Sequence, residues 1–242
     1  MPRGGHDTTD RMNLLLDLDG TLTDPREGIT RCIQHALERL GRPVPAQDEL
    51  LGCIGPPLHA SFEELLDGDG TLAHRAVAFY RERFGEVGLY ENVPYPGIAD
   101  ALETLQQRGA RLFVATSKPT IYARRIISHF GLEGRLEDVF GSELDGTRTN
   151  KVELLAWILE RTALDPRCTL MVGDRRHDIA GAIANGVEPI GVTWGYGGHR
   201  ELLDAGAARL IDRPSQLAAL GLSAVGSPRL YKPAAFGDTE TQ

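Results

Sequence analysis

Short apolar runs alternate with longer stretches of helical periodicity along most of this chain. That alternation is typical of repeated strand–helix units, which build a parallel sheet covered by helices. We predict strands at residues 13–17, 111–115, 169–172 and 189–193, with weaker candidates near Val139 and Leu210. Polar motifs follow three of these runs directly. Ligands bind outside the carboxyl ends of the strands in an open parallel sheet, so we expect these motifs to converge there.

Residues 25–94 interrupt the pattern, because they contain helical stretches and no convincing strand. Asp24, Pro25 and Glu27 predict a helix start, with a side-chain cap, a proline at the first helical position and a capping-box acid. One face of this helix is apolar, at Ile29, Cys32, Ile33, Ala36, Leu37 and Leu40, and Gly41 ends the helix. A further helix is predicted at 72–84. We therefore expect an all-helical cap domain, residues 25–94, inserted into a core formed by residues 12–24 and 95–222.

Composition excludes several classes of protein. A formal net charge of -8 opposes binding to nucleic acid polymers or anionic membranes, since both require clustered positive charge. Cys32, Cys53 and Cys168 are odd in number and far apart, which predicts neither a disulfide framework nor a zinc site. No apolar run is long enough to cross a bilayer, and the first residues lack the apolar segment of a signal peptide. We expect a cytoplasmic protein, monomeric or weakly dimeric.

Both ends of the chain are polar and lack periodic apolar residues. Residues 1–11 are therefore predicted to be a disordered prefix, and residues 223–242 a flexible tail. No function is assigned to either segment.

The first apolar run ends in the sequence LLLDLDGTLTD. Asp17 and Asp19 lie on the same side of an extended chain, because side chains alternate with a period of two. A strand end with a capped turn explains one of these acids, but packing does not require two at the mouth of a sheet. The pattern therefore favours a functional pair of carboxylates.

The next two motifs supply hydroxyl groups and a lysine. Thr116 and Ser117 end the second apolar run, just before a helix predicted to open at Lys118, and hydroxyl or helix-terminal N–H groups can bind phosphate oxygens. Lys151 begins a later helix, where the helix dipole disfavours positive charge. A position against the dipole indicates a role for this lysine other than helix stabilisation.

A further run ends in LMVGDRRHD. Asp174 lies at its tip, and Asp178 follows one helical turn later on the same face. Several carboxylates at one sheet edge would repel each other without a cation, and hard oxygen ligands favour Mg²⁺. We therefore predict a magnesium site, while His177 receives no role.

Together these four segments resemble the four motifs of the haloacid dehalogenase superfamily, over residues 12 to about 222. The resemblance implies a doubly wound, Rossmann-like core with a helical cap inserted after the first motif. It implies that Asp17 attacks phosphorus and Asp19 is the general acid and base. Thr116, with Ser117 as a further candidate, and Lys151 would hold phosphoryl oxygens. Mg²⁺ would be bound by Asp17, Asp174 and the backbone carbonyl of Asp19, with Gly20 and Asp178 in support.

A finer resemblance, to phosphoglycolate phosphatase-like proteins and 5'-nucleotidases, rests on ATSKP, GCIGPP at residues 52–57 and SELDGTRTNK at 142–151. It implies a cap loop at Gly55 and Pro56 that contacts the substrate's leaving group, although an ordinary inter-helix turn has the same composition. Lys118 and Arg148 are further candidate substrate contacts. Many relatives have Lys-Pro where this chain has Lys151 followed by Val152, which weakens the subfamily assignment.

These observations predict a magnesium-dependent phosphomonoesterase that acts on a small phosphorylated metabolite through an aspartyl-phosphate. We rank a nucleoside monophosphate first as substrate and 2-phosphoglycolate second. A phosphomutase similar to β-phosphoglucomutase would use the same aspartates, and a receiver-like domain switched by phosphorylation is also coherent. The large cap disfavours the receiver, which needs an open face. A dehalogenase is disfavoured by Asp19, since halide needs no proton on leaving.

Overall fold

A computed structural model describes residues 11–221 of the protein, which contain eight strands and eight α-helices. The strands are β1 (Asn13–Leu16), β2 (Thr23–Asp24), β3 (Val93–Pro94), β4 (Arg111–Pro119), β5 (Asp138–Ser142), β6 (Thr169–Gly173), β7 (Glu188–Val192) and β8 (Arg209–Ile211). The helices are α1 (Arg26–Arg39), α2 (Leu58–Leu65), α3 (Gly70–Arg83), α4 (Ile98–Gln107), α5 (Thr120–His129), α6 (Lys151–Thr162), α7 (Arg176–Ala184) and α8 (Gly198–Asp204).

Six of the strands form one parallel sheet in the order β5-β4-β1-β6-β7-β8. The chain extends the sheet from β1 to one side through β4 and β5, then returns to the other side of β1 for β6. Strand order thus reverses at the carboxyl end of β1, where an open sheet of this kind leaves a crevice. This is the predicted doubly wound core, and both weaker strand candidates, β5 and β8, belong to it.

Alternating leucines of β1 face opposite sides of the sheet. Leu14 and Leu16 belong to one buried apolar cluster, whereas Leu15 belongs to a second cluster with Leu155 and Ile158 of α6. A strand buried on both faces reads as a continuous apolar run, which explains why the sequence pattern identified β1. Helices therefore cover both faces of the sheet.

The segment between β1 and α4 is helical, as predicted, except at its two connections to the core. There β2 and β3 pair in antiparallel fashion, with Thr23 opposite Pro94 and Asp24 opposite Val93. The expectation of no strand in this segment is therefore wrong at Val93 and Pro94. Two residues with one proline carry too little periodicity to be recognised, and the pairing depends on chain segments 70 residues apart.

Two predicted helix starts are displaced. α1 begins at Arg26, so Pro25 precedes the helix, and Asp24 Oδ1 accepts the Arg26 N–H at 3.0 Å. Glu27 is one residue too early for a capping box and instead pairs with Arg31 at 2.6 Å. α5 begins at Thr120 rather than Lys118. Lys118 precedes Pro119, and helical geometry is disfavoured for a residue before proline.

The other predicted strands and the helix predicted at 72–84 agree with the structure within two residues, but β4 continues to Pro119, four residues beyond its predicted end. The apolar face of α1 is as predicted from Ile29 to Leu37, where its members are buried. The predicted prefix, apart from Arg11, and the predicted tail lie outside the described residues. Within residues 11–221, none of the helices combines the length and apolarity needed to span a bilayer.

Candidate active site

Asp17 and Lys151 lie at the centre of the crevice. Asp17 directly follows β1, and Lys151 is the buried first residue of α6. The Lys151 Nζ lies 2.8 Å from Asp17 Oδ1, 2.8 Å from the Ala115 carbonyl oxygen and 2.5 Å from Asp178 Oδ1. Burial alone would lower the pKa of Lys151, but Asp17 and Asp178 together raise it above its ordinary value. The lysine is therefore a fixed cation, which explains its position against the helix dipole.

Three buried carboxylates meet beside this lysine. Asp17, Asp174 and Asp178 each present one oxygen atom, and these atoms lie within 4.8 Å of one another. Burial, followed by the charges of Asp178 and Asp17, raises the pKa of Asp174 well above its ordinary value. Burial also raises the pKa of Asp178 to about 6, although Lys151 opposes the shift. Because crowded oxygen ligands of like charge suit a hard divalent cation, these residues fit Mg²⁺.

The role of Asp178 differs from that of its neighbours. Its Oδ2 accepts the Arg175 N–H at 3.1 Å, where it caps α7, and its Oδ1 faces Lys151. Asp178 thus links Lys151 to the first turn of α7, and Asp17 and Asp174 remain the predicted metal ligands. Asp174 is itself held in place, because its Oδ2 accepts the Tyr196 N–H at 2.7 Å and its Oδ1 lies 3.5 Å from the Thr21 hydroxyl.

The Asp19 carboxylate lies outside this cluster and pairs with Lys118. The Lys118 Nζ lies 2.8 Å from Asp19 Oδ2 and 4.4 Å from the ring centroid of Phe84. Asp19 Oδ1 is shielded from solvent and has no hydrogen-bond partner among the described residues. Burial raises the pKa of Asp19, with Lys118 opposing and Asp17 adding to the shift. The carboxyl group is thus suited to hold a proton and has one oxygen unengaged.

The hydroxyls at the end of β4 have different surroundings. Thr116 is buried, and its Oγ1 accepts the Lys118 N–H at 3.2 Å, which leaves the hydroxyl proton to donate elsewhere. Ser117 Oγ instead donates to the Thr149 carbonyl at 3.0 Å. That bond ties β4 to the loop before Lys151. Of the two hydroxyls predicted to bind phosphate, only Thr116 therefore has its proton uncommitted.

A glycine-rich loop after β7, which the sequence reasoning missed, encloses Asp174. The Tyr196 N–H donates to Asp174 Oδ2 at 2.7 Å. A Cβ atom on Gly195 would collide with the Asp174 side chain and with the Gly20 carbonyl, and one on Gly20 would collide with Asp174 as well. These close approaches require glycine. The run TWGYGG at a strand end was the available signal for this loop.

The same loop reaches the connection to the inserted helices. Trp194 Nε1 donates to the Thr21 carbonyl at 3.1 Å, and the Tyr196 hydroxyl donates to Asp24 Oδ1. One short segment thus contacts both Asp174 and Asp24, whose carboxylate accepts the first N–H of α1.

A cavity of about 810 Å³ lies between the sheet edge and the inserted helices. Asp17, Asp19, Thr116 and Lys151 line one wall, and the predicted loop residues Gly55 and Pro56 line the other. Arg148 does not line it, because its guanidinium pairs with Glu143 and lies 4.3 Å from the Trp157 ring centroid. The structure thus brings Gly55, Pro56 and Lys118 to the cavity, but not Arg148.

Arg175 holds the predicted cap loop against the core. Its guanidinium donates to the Ile54 carbonyl, and its Nε lies 3.0 Å from Glu201 Oε1. A Cβ atom on Gly55 would approach the Arg175 side chain to 2.7 Å. This contact joins residues 121 positions apart, so no local pattern in the sequence indicates it.

His177, which received no role from the sequence, also lines the cavity. Its Nε2 is shielded and has no hydrogen-bond partner among the described residues. Burial, followed by Arg176 and Arg175, lowers the pKa of this imidazole. A neutral imidazole at the cavity wall is therefore a further candidate for ligand contact.

Comparison with known proteins places the chain among characterised relatives. The chain is 51% identical to a 5'-nucleotidase of Pseudomonas aeruginosa over 190 residues, 78% of this chain and 86% of that protein. It is 42% identical to the tyrosine-protein kinase PtkA of Mycobacterium tuberculosis over 184 residues, 76% of this chain but only 62% of that protein. Phosphoglycolate phosphatases are more distant relatives, at 26% identity for that of Pseudomonas putida over 82% of this chain and 75% of that protein.

The fold and the family model agree with the sequence comparison. A crystal structure of a predicted phosphatase from Clostridium acetobutylicum superposes with a TM-score of 0.83 at 37% identity, covering 86% of this chain and 97% of that one. Residues 14–192 match the family model described as haloacid dehalogenase-like hydrolase, and this range contains all four motifs. The chain therefore belongs to the haloacid dehalogenase-like hydrolase family.

Proposed function

We propose that the protein is a magnesium-dependent phosphomonoesterase in which Asp17 forms an aspartyl-phosphate. The observation that carries this proposal is the pairing of Asp17 with Lys151 in the wall of a cavity large enough for a metabolite, with Asp174 buried beside Asp17. Membership of a hydrolase family with phosphatase relatives supports it.

Each side chain has a chemical task in the proposed reaction. Asp17 attacks phosphorus, while Lys151 and the Thr116 hydroxyl hold the phosphoryl oxygens. Asp19 protonates the departing oxygen through its unengaged Oδ1 and later removes a proton from the attacking water. Asp17, Asp174 and the Asp19 backbone carbonyl would hold Mg²⁺. When bound, the ion would supply positive charge against the transferred oxygens.

A 5'-nucleoside monophosphate is the substrate that we favour. The cavity volume of about 810 Å³ lies within the range of sites for molecules of this size, whereas 2-phosphoglycolate would fill a small part of it. The similarity to a 5'-nucleotidase, higher than that to phosphoglycolate phosphatases, supports the same order.

Transfer of the phosphoryl group from Asp17 to a second hydroxyl, instead of to water, is the main competing reaction. The similarity to a protein named tyrosine-protein kinase PtkA, and the use of the same aspartates by phosphomutases, favour this alternative. Counting inorganic phosphate released per molecule of substrate consumed distinguishes hydrolysis, with a ratio of one, from transfer, with a ratio well below one.

The experiment measures phosphate release from UMP, AMP, 2-phosphoglycolate, ribose 5-phosphate and p-nitrophenyl phosphate, with Mg²⁺ and with excess EDTA. We expect Asp17→Asn to lower turnover at least about a thousandfold, because the amide keeps the shape but is not a nucleophile. Full activity of Asp17→Asn would refute the aspartyl-phosphate, and full activity in EDTA would refute the metal requirement. A matched control is Asp48→Asn, an exposed acid outside the cavity.

A further inference from the structure

One face of α3 lines the cavity from His74 onward. His74, Val77 and Arg81, followed by Phe84 just beyond the helix, recur at intervals of three and four residues and all line the cavity. Phe84 lies beside Lys118, the partner of Asp19, so it marks the catalytic end. Ten residues of helix extend about 15 Å from there to His74. The leaving group of a bound substrate would lie along this stripe.

Arg81 is the cation of the stripe. Its Nη2 donates to the Leu144 carbonyl at 2.7 Å, which fixes the guanidinium across the cavity from α3 to the loop after β5. No carboxylate pairs with Arg81 among the described residues, unlike Arg83 on the same helix, which pairs with Glu91 at 2.6 Å. The remaining N–H groups of Arg81 can therefore donate to oxygen or nitrogen acceptors of a ligand.

Two imidazoles lie at the outer end of the stripe. The rings of His59, on α2, and His74 have centroids 4.3 Å apart at an angle of 57°. Both line the cavity, and His59 Nε2 is shielded from solvent without a hydrogen-bond partner among the described residues. A flat heterocycle stacked on the open face of this pair would cover the rings.

We propose that His59, His74 and Arg81 form a nucleobase subsite, with Val77 as the apolar surface between them. The proposal rests on the proposed phosphatase function and narrows its substrate class to nucleoside monophosphates. A subsite of two imidazoles and one arginine recognises a planar ring with hydrogen-bond acceptors. A two-carbon carboxylate held at the catalytic end would not reach His74 along a stripe of about 15 Å.

The test compares substrates with and without a base. The ratio of kcat/KM for UMP or AMP to kcat/KM for ribose 5-phosphate should be at least about tenfold in the wild-type protein, since stacking and hydrogen bonds act only on the base. Arg81→Gln and His74→Ala should each reduce this ratio about fivefold or more, mainly through KM, because the base is remote from the reacting phosphorus. The matched control is Arg75→Gln on the same helix, an exposed residue outside the cavity lining, which should keep the wild-type ratio.

Binding provides a readout that does not depend on turnover. Calorimetry with Asp17→Asn and Mg²⁺ should give tighter binding of UMP than of ribose 5-phosphate, and the difference should disappear when Arg81→Gln is added. Equal ratios in wild type and both variants, or equal binding of the two ligands, would overturn the subsite. If phosphate release still depends on Asp17 in that case, the phosphatase proposal stands. If no compound is hydrolysed, the phosphatase proposal fails, and the binding comparison alone decides the subsite.

Discussion

Lys118 Nζ lies 2.8 Å from Asp19 Oδ2 and at the same time 4.4 Å from the Phe84 ring of the inserted segment. A residue of the sheet edge thus joins the proposed general acid to the helices that cover it. Burial raises the pKa of Asp19, and Lys118 partly opposes this larger effect. The lysine therefore helps to set how readily that carboxyl group releases its proton.

Lys118→Met should therefore move the basic limb of the kcat/KM profile to higher pH. Without the ammonium group the pKa of Asp19 rises further, and the protonated acid persists into more alkaline solution. Arg125→Met is the control, since Arg125 also contacts an aromatic residue of the insertion, donating to the Tyr90 hydroxyl at 3.1 Å. An unchanged limb in Lys118→Met would show that another group controls it.

Asp19→Asn should affect substrates according to their leaving groups. Turnover of an alkyl phosphate should fall by at least about a hundredfold, because the alkoxide needs a proton as it leaves. The loss with p-nitrophenyl phosphate should be about tenfold smaller, because nitrophenolate leaves without one. Steady-state rates on both substrates measure the difference. Equal losses would remove Asp19 from the role of general acid.

The acid cluster should make the stability of the metal-free protein depend on pH. Burial raises the pKa of Asp178 from 3.8 to about 6 in the folded state, and the pKa of Asp174 is also raised. A carboxyl with a raised folded pKa stabilises the protein fully below about pH 4, and this contribution is lost as the pH rises through the folded pKa. Thermal midpoints in EDTA should therefore fall between about pH 5 and pH 7.5.

Mg²⁺ should reverse that trend, because it binds the ionised carboxylates. The rise in thermal midpoint on adding Mg²⁺ should be larger at about pH 7.5 than at pH 5. Asp174→Asn should abolish the rise, while Glu103→Gln, an exposed acid on α4, should retain it. A Mg²⁺ effect independent of pH would contradict a site built from these acids.

Gly195→Ala should damage the site although residue 195 has no reactive group. The new Cβ would collide with Asp174, which is fully buried and held by the Tyr196 N–H, so neither can move aside freely. We expect a loss of about 1–3 kcal/mol in the free energy of unfolding, together with weaker Mg²⁺ binding. Chemical denaturation and calorimetry measure the two effects. Gly134→Ala, where nothing lies within 4 Å of the added atom, should be nearly neutral.

Sequence reasoning identified the parts of the site that are local. The acids of DLDGT and GDRRHD, and Lys151, follow strands or begin helices, so period-two and helical patterns are enough to bring them to one sheet edge. The Asp178 carboxylate also lies within hydrogen-bond distance of Arg175, three residues away, as a helix cap should. These relationships need no knowledge of how distant segments pack.

The displaced starts of α1 and α5 have local causes, but the other missed features depend on packing between distant segments. Arg175 contacts Ile54, and Trp194 contacts Thr21, across 121 and 173 residues of sequence. The continuation of β4 to Pro119 depends on its pairing with Ser142 after an irregular register. The Ser117 hydroxyl donates to the Thr149 carbonyl and is therefore not available to a ligand, and this contact also joins distant segments. Residue type alone does not distinguish such partners.

The ribbon formed by β2 and β3 brings together the two ends of the inserted helices, because Thr23 lies directly opposite Pro94. Paired strands are only about 5 Å apart, a gap that a tight turn can close. Residues 25–92 could therefore be removed and replaced by a short hairpin, or exchanged for the corresponding segment of a relative, without moving either end of the core chain. Substrate preference would then be transferable between family members as a single piece of polypeptide, while Asp17, Lys151 and Asp174 remain where they are.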